Sequence, residues 1–303
     1  MIIVDLSQII IANCIVNNKE LKKDPIETKN FIKHMAFTTL LSFKKKYSSE
    51  YGKMVLACDS KSYWRRDYFP AYKGHRKHSR DADTLNWDLI FESITEIKND
   101  LRANFPYIVL EVDGAEADDI IACMTKYLQT NETVQEGLFD GEAQKIMILS
   151  SDGDFVQLQK YPTVKQWSPL QKKLVKPKGK VETYIMEHVC TGDSGDNIPN
   201  ILTNDQWAID RSKNDEATRQ TPMRKNRLAE FVKDGINACK TTDEKRNFIR
   251  NQTLIDFDKI PDTIYSNIID EYVNYKIKGS AMKLMSYFSK NRMALLFASI
   301  GDF

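Results

Sequence analysis

Four apolar runs in this chain end in acid, and that repetition restricts the fold more than any other feature. "MIIV" runs into Asp5, and "MVLAC" (54–58) runs into Asp59. "YIVLEV" (107–112) turns through "DGA" into Glu116, Asp118 and Asp119, and "IMIL" (146–149) leads to Asp152 and Asp154. Short runs of large and β-branched apolar residues, bounded by polar ones, read as buried strands. Taken alone, "SSDGDF" is good turn chemistry, because Asp and Gly both favour turns. Four independent turns would not all require carboxylates.

Helical patterns lie between these runs, over 26–47, 87–105 and 118–128; in the last, Ile120, Ile121 and Met124 recur at helical spacing. Strand–helix–strand alternation implies βαβ units, hence an α/β fold with a mostly parallel central sheet and helices on both faces. Parallel strands point the same way, so all four acidic ends are expected at one edge of the sheet. That edge, beyond the carboxyl ends of the strands, is where open α/β sheets bind ligands.

The polar, Gly-containing stretch 129–145 is expected to be an excursion between helix and strand. A further helix over 180–190 leads into a fifth acidic cluster, "TGDSGDNIPN", with Asp193 and Asp196. Beyond Asn200 the alternation stops, and the rest is helix-like, ending in the amphipathic "AMKLMSYFSKNRMALLFASI". The expected division is therefore a catalytic domain over 1–200 and a smaller helical region over 201–303. At 303 residues, with 42% hydrophobic and 28% charged residues, the chain falls outside the disordered class. No apolar run approaches the roughly 18 residues of a membrane span, and no secretory signal pattern opens the sequence. Five scattered cysteines without a CxxC pair favour a reducing cytoplasm over a disulfide framework or a zinc site.

Nine carboxylates at one edge would repel each other strongly. Hard divalent cations relieve such repulsion, and a site of carboxylates without His or Cys suits Mg²⁺ or Mn²⁺. Two such ions can activate a water and stabilise the leaving oxygen of a phosphodiester. For any single acid the plainer role is a turn or helix cap; Glu116 and Asp119 could be ordinary first-turn acids.

Residues 61–80, "KSYWRRDYFPAYKGHRKHSR", carry seven Lys/Arg, two His and one acid, interleaved with Tyr63, Trp64, Tyr68, Phe69 and Tyr72. Basic side chains alternating with aromatics suit a surface that neutralises phosphates and stacks on unpaired bases. The plainer alternative is a solvated loop with a few aromatics in a local core. Its start two residues after Asp59 favours a nucleic-acid substrate.

The order Asp5, Asp59, "RRDYFPAYKGHR", "EADD", "SSDGDF" and "TGDSGDNIP" resembles the 5′-nuclease (flap endonuclease) superfamily over roughly residues 1–200. "SYWRRD", "PYIVLEVDGAEADD", "YPTVKQWSPLQKKLVK" and "LIDFDKIPD" resemble its T-even phage ribonuclease H branch, over nearly the whole chain. The resemblance implies a first Mg²⁺ near Asp5, Asp59, Glu116 and Asp118. It implies a second near Asp152, Asp154 and Asp196, with Asp119 and Asp193 assisting, partly through water; Mn²⁺ is the expected substitute. Lys73 and Arg76 match the basic pair that contacts the scissile phosphate, and both can stabilise charge developing on phosphate oxygens. Arg65, Arg66 and Tyr72 are expected to bind substrate, and 61–86 to form the arch over the active site.

After "DNIP" the family pattern continues into a helix–hairpin–helix with GxGxK, which holds duplex phosphates and often a potassium ion. This chain reads "NILTNDQWAIDRSKNDEATRQTPMRKNRLAEF", without the glycine pair. Arg224, Lys225 and Arg227 could still present charge to a duplex, or simply begin a solvated basic helix. The implied activity is 5′-to-3′ hydrolysis of RNA–DNA hybrids, duplex DNA and flaps, with RNA primer removal during lagging-strand replication as the task. Implied partners are DNA, hybrid duplex, a single-strand DNA-binding protein or a sliding clamp, for a monomer in the host cytoplasm without membrane contact. The alternatives are a PIN-like single-strand ribonuclease and a non-catalytic branched-DNA-binding protein.

Overall fold

The four acid-ended runs become four neighbouring strands. In a computed structural model that describes residues 1–22, 24–131, 143–216 and 219–303, the strands are β1 (Ile2–Asp5), β2 (Met54–Ala57), β3 (Ile108–Leu110), β4 (Ile146–Leu149), β5 (Val164–Ser168) and β6 (Lys173–Val175). Their order is β3-β2-β1-β4-β5-β6. β1 pairs in parallel with β2 and with β4, β2 with β3, and β4 with β5, while β6 runs antiparallel to β5. Register sets Asp5 beside Ala57, two residues before Asp59. The carboxyl ends of β3, β2, β1 and β4 therefore share one edge, as the alternation predicts. Most of the excursion expected over 129–145 lies outside the described residues.

β5 and β6 have no apolar run to announce them. Val164, Gln166 and Ser168 are buried while Lys165 is exposed, so β5 alternates with polar residues on its inner face. The buried Gln166 donates through Nε2 to the carbonyls of Ser150 (3.0 Å) and Asp152 (2.6 Å), and so pins the turn that follows β4.

The chain forms two compact units, one of Met1–Lys61, Leu85–Val175 and Thr263–Phe303, the other of Ser62–Thr84 and Lys176–Asp262. These units are grouped by contact, whereas the division expected at residue 200 follows chain order. In the first unit, Ile2, Val4, Met54, Leu56, Val109, Met147 and Leu149 face a core supplied by helices Leu6–Val16, Pro25–Tyr51, Trp87–Asn104 and Ala281–Lys290. Side chains alternate across a strand, so the fully buried Ile3, Val55 and Ile148 face the other side, where helix Ala117–Thr130 packs on β1 and β2. Helix Pro25–Tyr51 starts where Asp24 accepts the amides of Ile26 and Glu27, with Pro25 in the first turn, and stops at Gly52 with φ +77°. The C-terminal Leu284 and Phe288 join this core against Phe105, which explains why 263–303 belongs with the sheet.

The second unit is helical. Its core gathers Phe69 and Tyr72 with Val189, Ile198, Trp207, Phe231, Phe248 and Leu254. These come from helices Val181–Thr191, Gln206–Lys213, Lys225–Asp234 and Thr242–Ile255, from the loop after Gly192, and from the segment between the short helices Trp64–Tyr68 and Arg76–Asp81. Among the described residues, no helix is long and apolar enough to cross a membrane.

Candidate active site

In the first unit, strand ends place the acids and helix starts hold them. Asp5 ends β1 and caps helix Leu6–Val16: Oδ1 accepts from the Gln8 amide (3.0 Å) and Oδ2 from the Ser150 hydroxyl (3.3 Å). It is only 6% exposed. Burial, then the charge of Asp59, then that of Asp152 push its carboxyl well above the usual range, against those two hydrogen bonds. Asp59, just past β2, accepts from the Ala117 amide at 3.0 Å. Glu116 caps helix Ala117–Thr130 in a reciprocal pair with Asp119, whose Oδ2 accepts from the Glu116 amide at 3.0 Å. Asp119, fully buried, thus has the helix-start role its position allows, whereas Asp118 remains partly exposed. Asp152 accepts from the Asp154 amide (2.9 Å), and its own amide is held by the Ser150 hydroxyl (3.2 Å).

Asp59 and Asp152 therefore add to the field at Asp5, where three adjacent strands end. A carboxylate whose ionisation is opposed first by burial and then by neighbouring charge is the setting that a hard divalent cation relieves. The donors at this edge are carboxylate oxygens, and they fit a hard divalent cation.

In the second unit, Asp193 and Asp196 sit on a tightly tied loop. Gly192 ends helix Val181–Thr191 at φ +69°, where a Cβ would lie 2.4 Å from the Ile198 carbonyl oxygen, so only glycine fits. Asp193 and Ile198 exchange backbone hydrogen bonds of 2.9 and 2.7 Å. Asp193 Oδ1 accepts from the amides of Gly195 (2.7 Å) and Asp196 (3.2 Å), and Oδ2 lies 3.6 Å from His188 Nε2. Burial opposes its ionisation, but His188 and the two amides outweigh burial and hold its carboxyl below the usual range. Asn197, fully buried, donates to the carbonyls of Ala71 (2.9 Å) and Ala208 (2.8 Å), tying this loop to the basic segment. His188 and Asn197 escaped the sequence reading; nothing but closeness in sequence to Asp193 marked them.

The basic segment divides between surface and interior. Arg76 donates from Nη2 to Asp196 Oδ1 (2.6 Å), and Lys73 Nζ lies 3.6 Å from Asp196 Oδ2. Arg66 is exposed, with its guanidinium over the Tyr63 ring. Two expected substrate contacts are inside instead. Arg65 is 3% exposed and donates from Nε to the Leu254 carbonyl (2.9 Å), and Tyr72 is 2% exposed with its hydroxyl on Asp196 Oδ2 (2.8 Å). Both side chains act within their unit, because the aromatic and aliphatic packing that anchors the segment requires them there. Of the five aromatics, Phe69 and Tyr72 are core residues, and Tyr68 is exposed.

Arg224 and Lys225 are exposed at the start of helix Lys225–Asp234. Arg227 pairs with Glu230 and Glu244, both at 2.6 Å, and covers the Phe231 ring, so its charge is spent on the fold. In the loop without the glycine pair, side chains occupy the backbone carbonyls. Arg250 and Asn251 donate to Pro199, and Asn247 donates to Ile201 and Thr203, at 2.9–3.1 Å.

The N-terminal, resolvase-like domain of 5′-3′ exonucleases matches residues 1–187, and the C-terminal domain of phage T4 ribonuclease H matches residues 179–303. This chain belongs to the 5′-3′ exonuclease family. It is a nuclease of that family and is 36% identical over 308 residues to the ribonuclease H of Enterobacteria phage T4, an alignment spanning 99% of this chain and 95% of that one. The fold is similar to that of the phage T5 5′-exonuclease with bound zinc, at TM-score 0.60 and 20% identity, covering 89% of this chain and 98% of that one. It is also similar to a phage T5 flap endonuclease variant in a pseudo-enzyme–product complex with DNA and metal ions, at TM-score 0.59 and 20% identity, covering 89% and 97%. At such identity these two structures speak for the fold, and the mostly parallel sheet of this chain agrees with them.

Proposed function

We propose that this member of the family is a Mg²⁺-dependent 5′-to-3′ nuclease that hydrolyses RNA–DNA hybrids and duplex DNA and cuts flaps, removing RNA primers during lagging-strand replication. One observation supports the reading most: Asp5, buried at the end of β1, has its carboxyl pushed up by burial, Asp59 and Asp152. A binding protein would gain nothing from that arrangement, which without cations repels phosphate. Asp5, Asp59, Glu116 and Asp118 are the proposed holders of one ion. Asp152 and Asp154 serve a second, with Asp119 assisting, and within the helical unit Asp193 and Asp196 are proposed as cation ligands. When bound, such ions supply charge neutralisation and a more acidic water.

Lys73 brings a point charge and Arg76 a planar fork, suited to oxygens on which negative charge develops. Arg66, Arg224 and Lys225 anchor phosphates, while Arg65, Tyr72 and Arg227 hold the unit together. A single-strand DNA-binding protein or a sliding clamp as replication partner, a monomeric state and action in the host cytoplasm belong to the same proposal. The test is cleavage of 5′-labelled and 3′-labelled hybrid, flap and single-stranded substrates with Mg²⁺, with Mn²⁺ and with chelator. Expected is metal-dependent release of short products from the 5′ end of hybrids and flaps. Cleavage confined to single-stranded RNA would move the assignment to the PIN-like alternative, and binding without cleavage to the non-catalytic one.

A further inference from the structure

Three donors of the second unit converge on one carboxylate. Arg76 Nη2 bonds Asp196 Oδ1 at 2.6 Å, the Tyr72 hydroxyl bonds Oδ2 at 2.8 Å, and Lys73 Nζ stands 3.6 Å from Oδ2. The backbones are joined as well, because the Lys73 amide donates to the Asp196 carbonyl (2.8 Å), and the Arg76 side chain donates a further bond from Nε to the Gly195 carbonyl (3.3 Å). Lys73 takes φ +53°, an uncommon conformation for a residue with a side chain, and Gly74 lies so close to Ser212 that a Cβ would meet its Oγ at 2.2 Å. The frame is rigid, yet the Arg76 side chain is 44% exposed against 15% for Asp196. The ionic contact is thus the exchangeable part of a fixed scaffold.

We propose that Asp196 is an exchangeable counter-ion that couples cation binding to phosphate binding, with Tyr72 as its positioning residue. The proposal rests on the reading of Lys73 and Arg76 as phosphate contacts and of Asp196 as a cation ligand. One carboxylate cannot serve both a divalent cation and two basic side chains at full strength. Without a cation it offsets part of the pair's charge and holds it in place. When a cation takes the carboxylate, Lys73 and Arg76 are freed to pair with a phosphate. When phosphate takes the pair, the carboxylate is released to the cation, and the coupling is reciprocal.

The experiment measures affinity for a short 5′-phosphorylated duplex by fluorescence anisotropy, in chelator and in Ca²⁺. The proteins are the full chain, Asp196→Asn, Tyr72→Phe, Lys73→Ala/Arg76→Ala, and the latter pair combined with Asp196→Asn. Expected is a several-fold tighter binding of Asp196→Asn than wild type in chelator, a gain that vanishes when Lys73 and Arg76 are absent. Tyr72→Phe, which keeps every charge and the buried ring, shows a smaller gain of the same kind. Wild type gains more from Ca²⁺ than Asp196→Asn does. A gain that persists without Lys73 and Arg76 would show simple removal of a negative charge and overturn the coupling, as would no gain at all. Wild type that binds no duplex even in Ca²⁺ overturns the nuclease reading and the coupling with it.

Discussion

The acids of the two units solve the same electrostatic problem in opposite ways. At the sheet edge, Asp5 is buried among other carboxylates, and its pKa is driven up by burial, Asp59 and Asp152. In the helical unit, Asp193 is half-buried, but His188 and two backbone amides bring its pKa down, and Asp196 is tied to Arg76, Lys73 and Tyr72. The first arrangement leaves the charge deficit to something outside the chain; the second supplies the counter-charge from the fold. A carboxylate in an active site is therefore not one kind of residue: its surroundings decide whether it waits for a cation or already has one.

The largest effect expected from breaking this contrast is at Asp118. Asp118→Asn weakens the cation-dependent set and should cut the cleavage rate by at least about 10²-fold, with melting temperature and duplex affinity nearly unchanged. An active variant with ordinary Mg²⁺ dependence would remove Asp118 from the ligand set. Next comes Lys73→Ala, which should lower single-turnover cleavage by about 10²-fold and duplex affinity far less. Equal losses in both would make Lys73 an anchor only.

A smaller effect concerns stability and pH. The Asp5 carboxyl is raised in the folded state, so its contribution is most favourable below the ordinary Asp range and is lost as pH rises through the folded pKa. In metal-free protein, Asp5→Asn should therefore melt increasingly above wild type as pH rises, with the difference shrinking towards acid. Added Mg²⁺ should raise the melting temperature of wild type more than that of the variant. A pH-independent difference would show that the carboxyl is not raised in the folded state.

The smallest effect is expected at the loop that follows Asn197. Its Pro199, Ile201 and Thr203 carbonyls already accept from Arg250, Asn251 and Asn247. Exchanging K⁺ for Na⁺ at constant ionic strength should then leave duplex affinity of Asp118→Asn protein in Ca²⁺ nearly unchanged. A several-fold K⁺ preference would mean that those carbonyls do hold an ion. Removing Arg224 and Lys225 should flatten the salt dependence of binding by about two counterions, whereas Arg227→Ala should chiefly lower the melting temperature, because its charge is paired with Glu230 and Glu244.

The parallel sheet and its acidic edge were legible because they rest on local pattern. An apolar run of four residues has to be buried, and a strand–helix–strand alternation sends successive runs the same way. Asp5, Asp59, Glu116, Asp118, Asp152 and Asp154 follow from that alone, each being tied to the end of a strand or the start of a helix. β5 was hidden because its inner face carries Gln166, whose burial makes sense only once the carbonyls of Ser150 and Asp152 are beside it. The fates of Arg65, Tyr72 and Arg227 were hidden for the same reason. A basic or aromatic residue reads identically whether it faces solvent or fills a core, and its partners, Leu254, Asp196 and Glu244, come from distant turns of the chain. Sequence by itself determined where carboxylates must gather, since hydrophobic burial and strand direction are properties of short segments. Only the tertiary structure decided which of them receive a cation from the protein, because that depends on contacts across more than a hundred residues, such as Arg76 with Asp196.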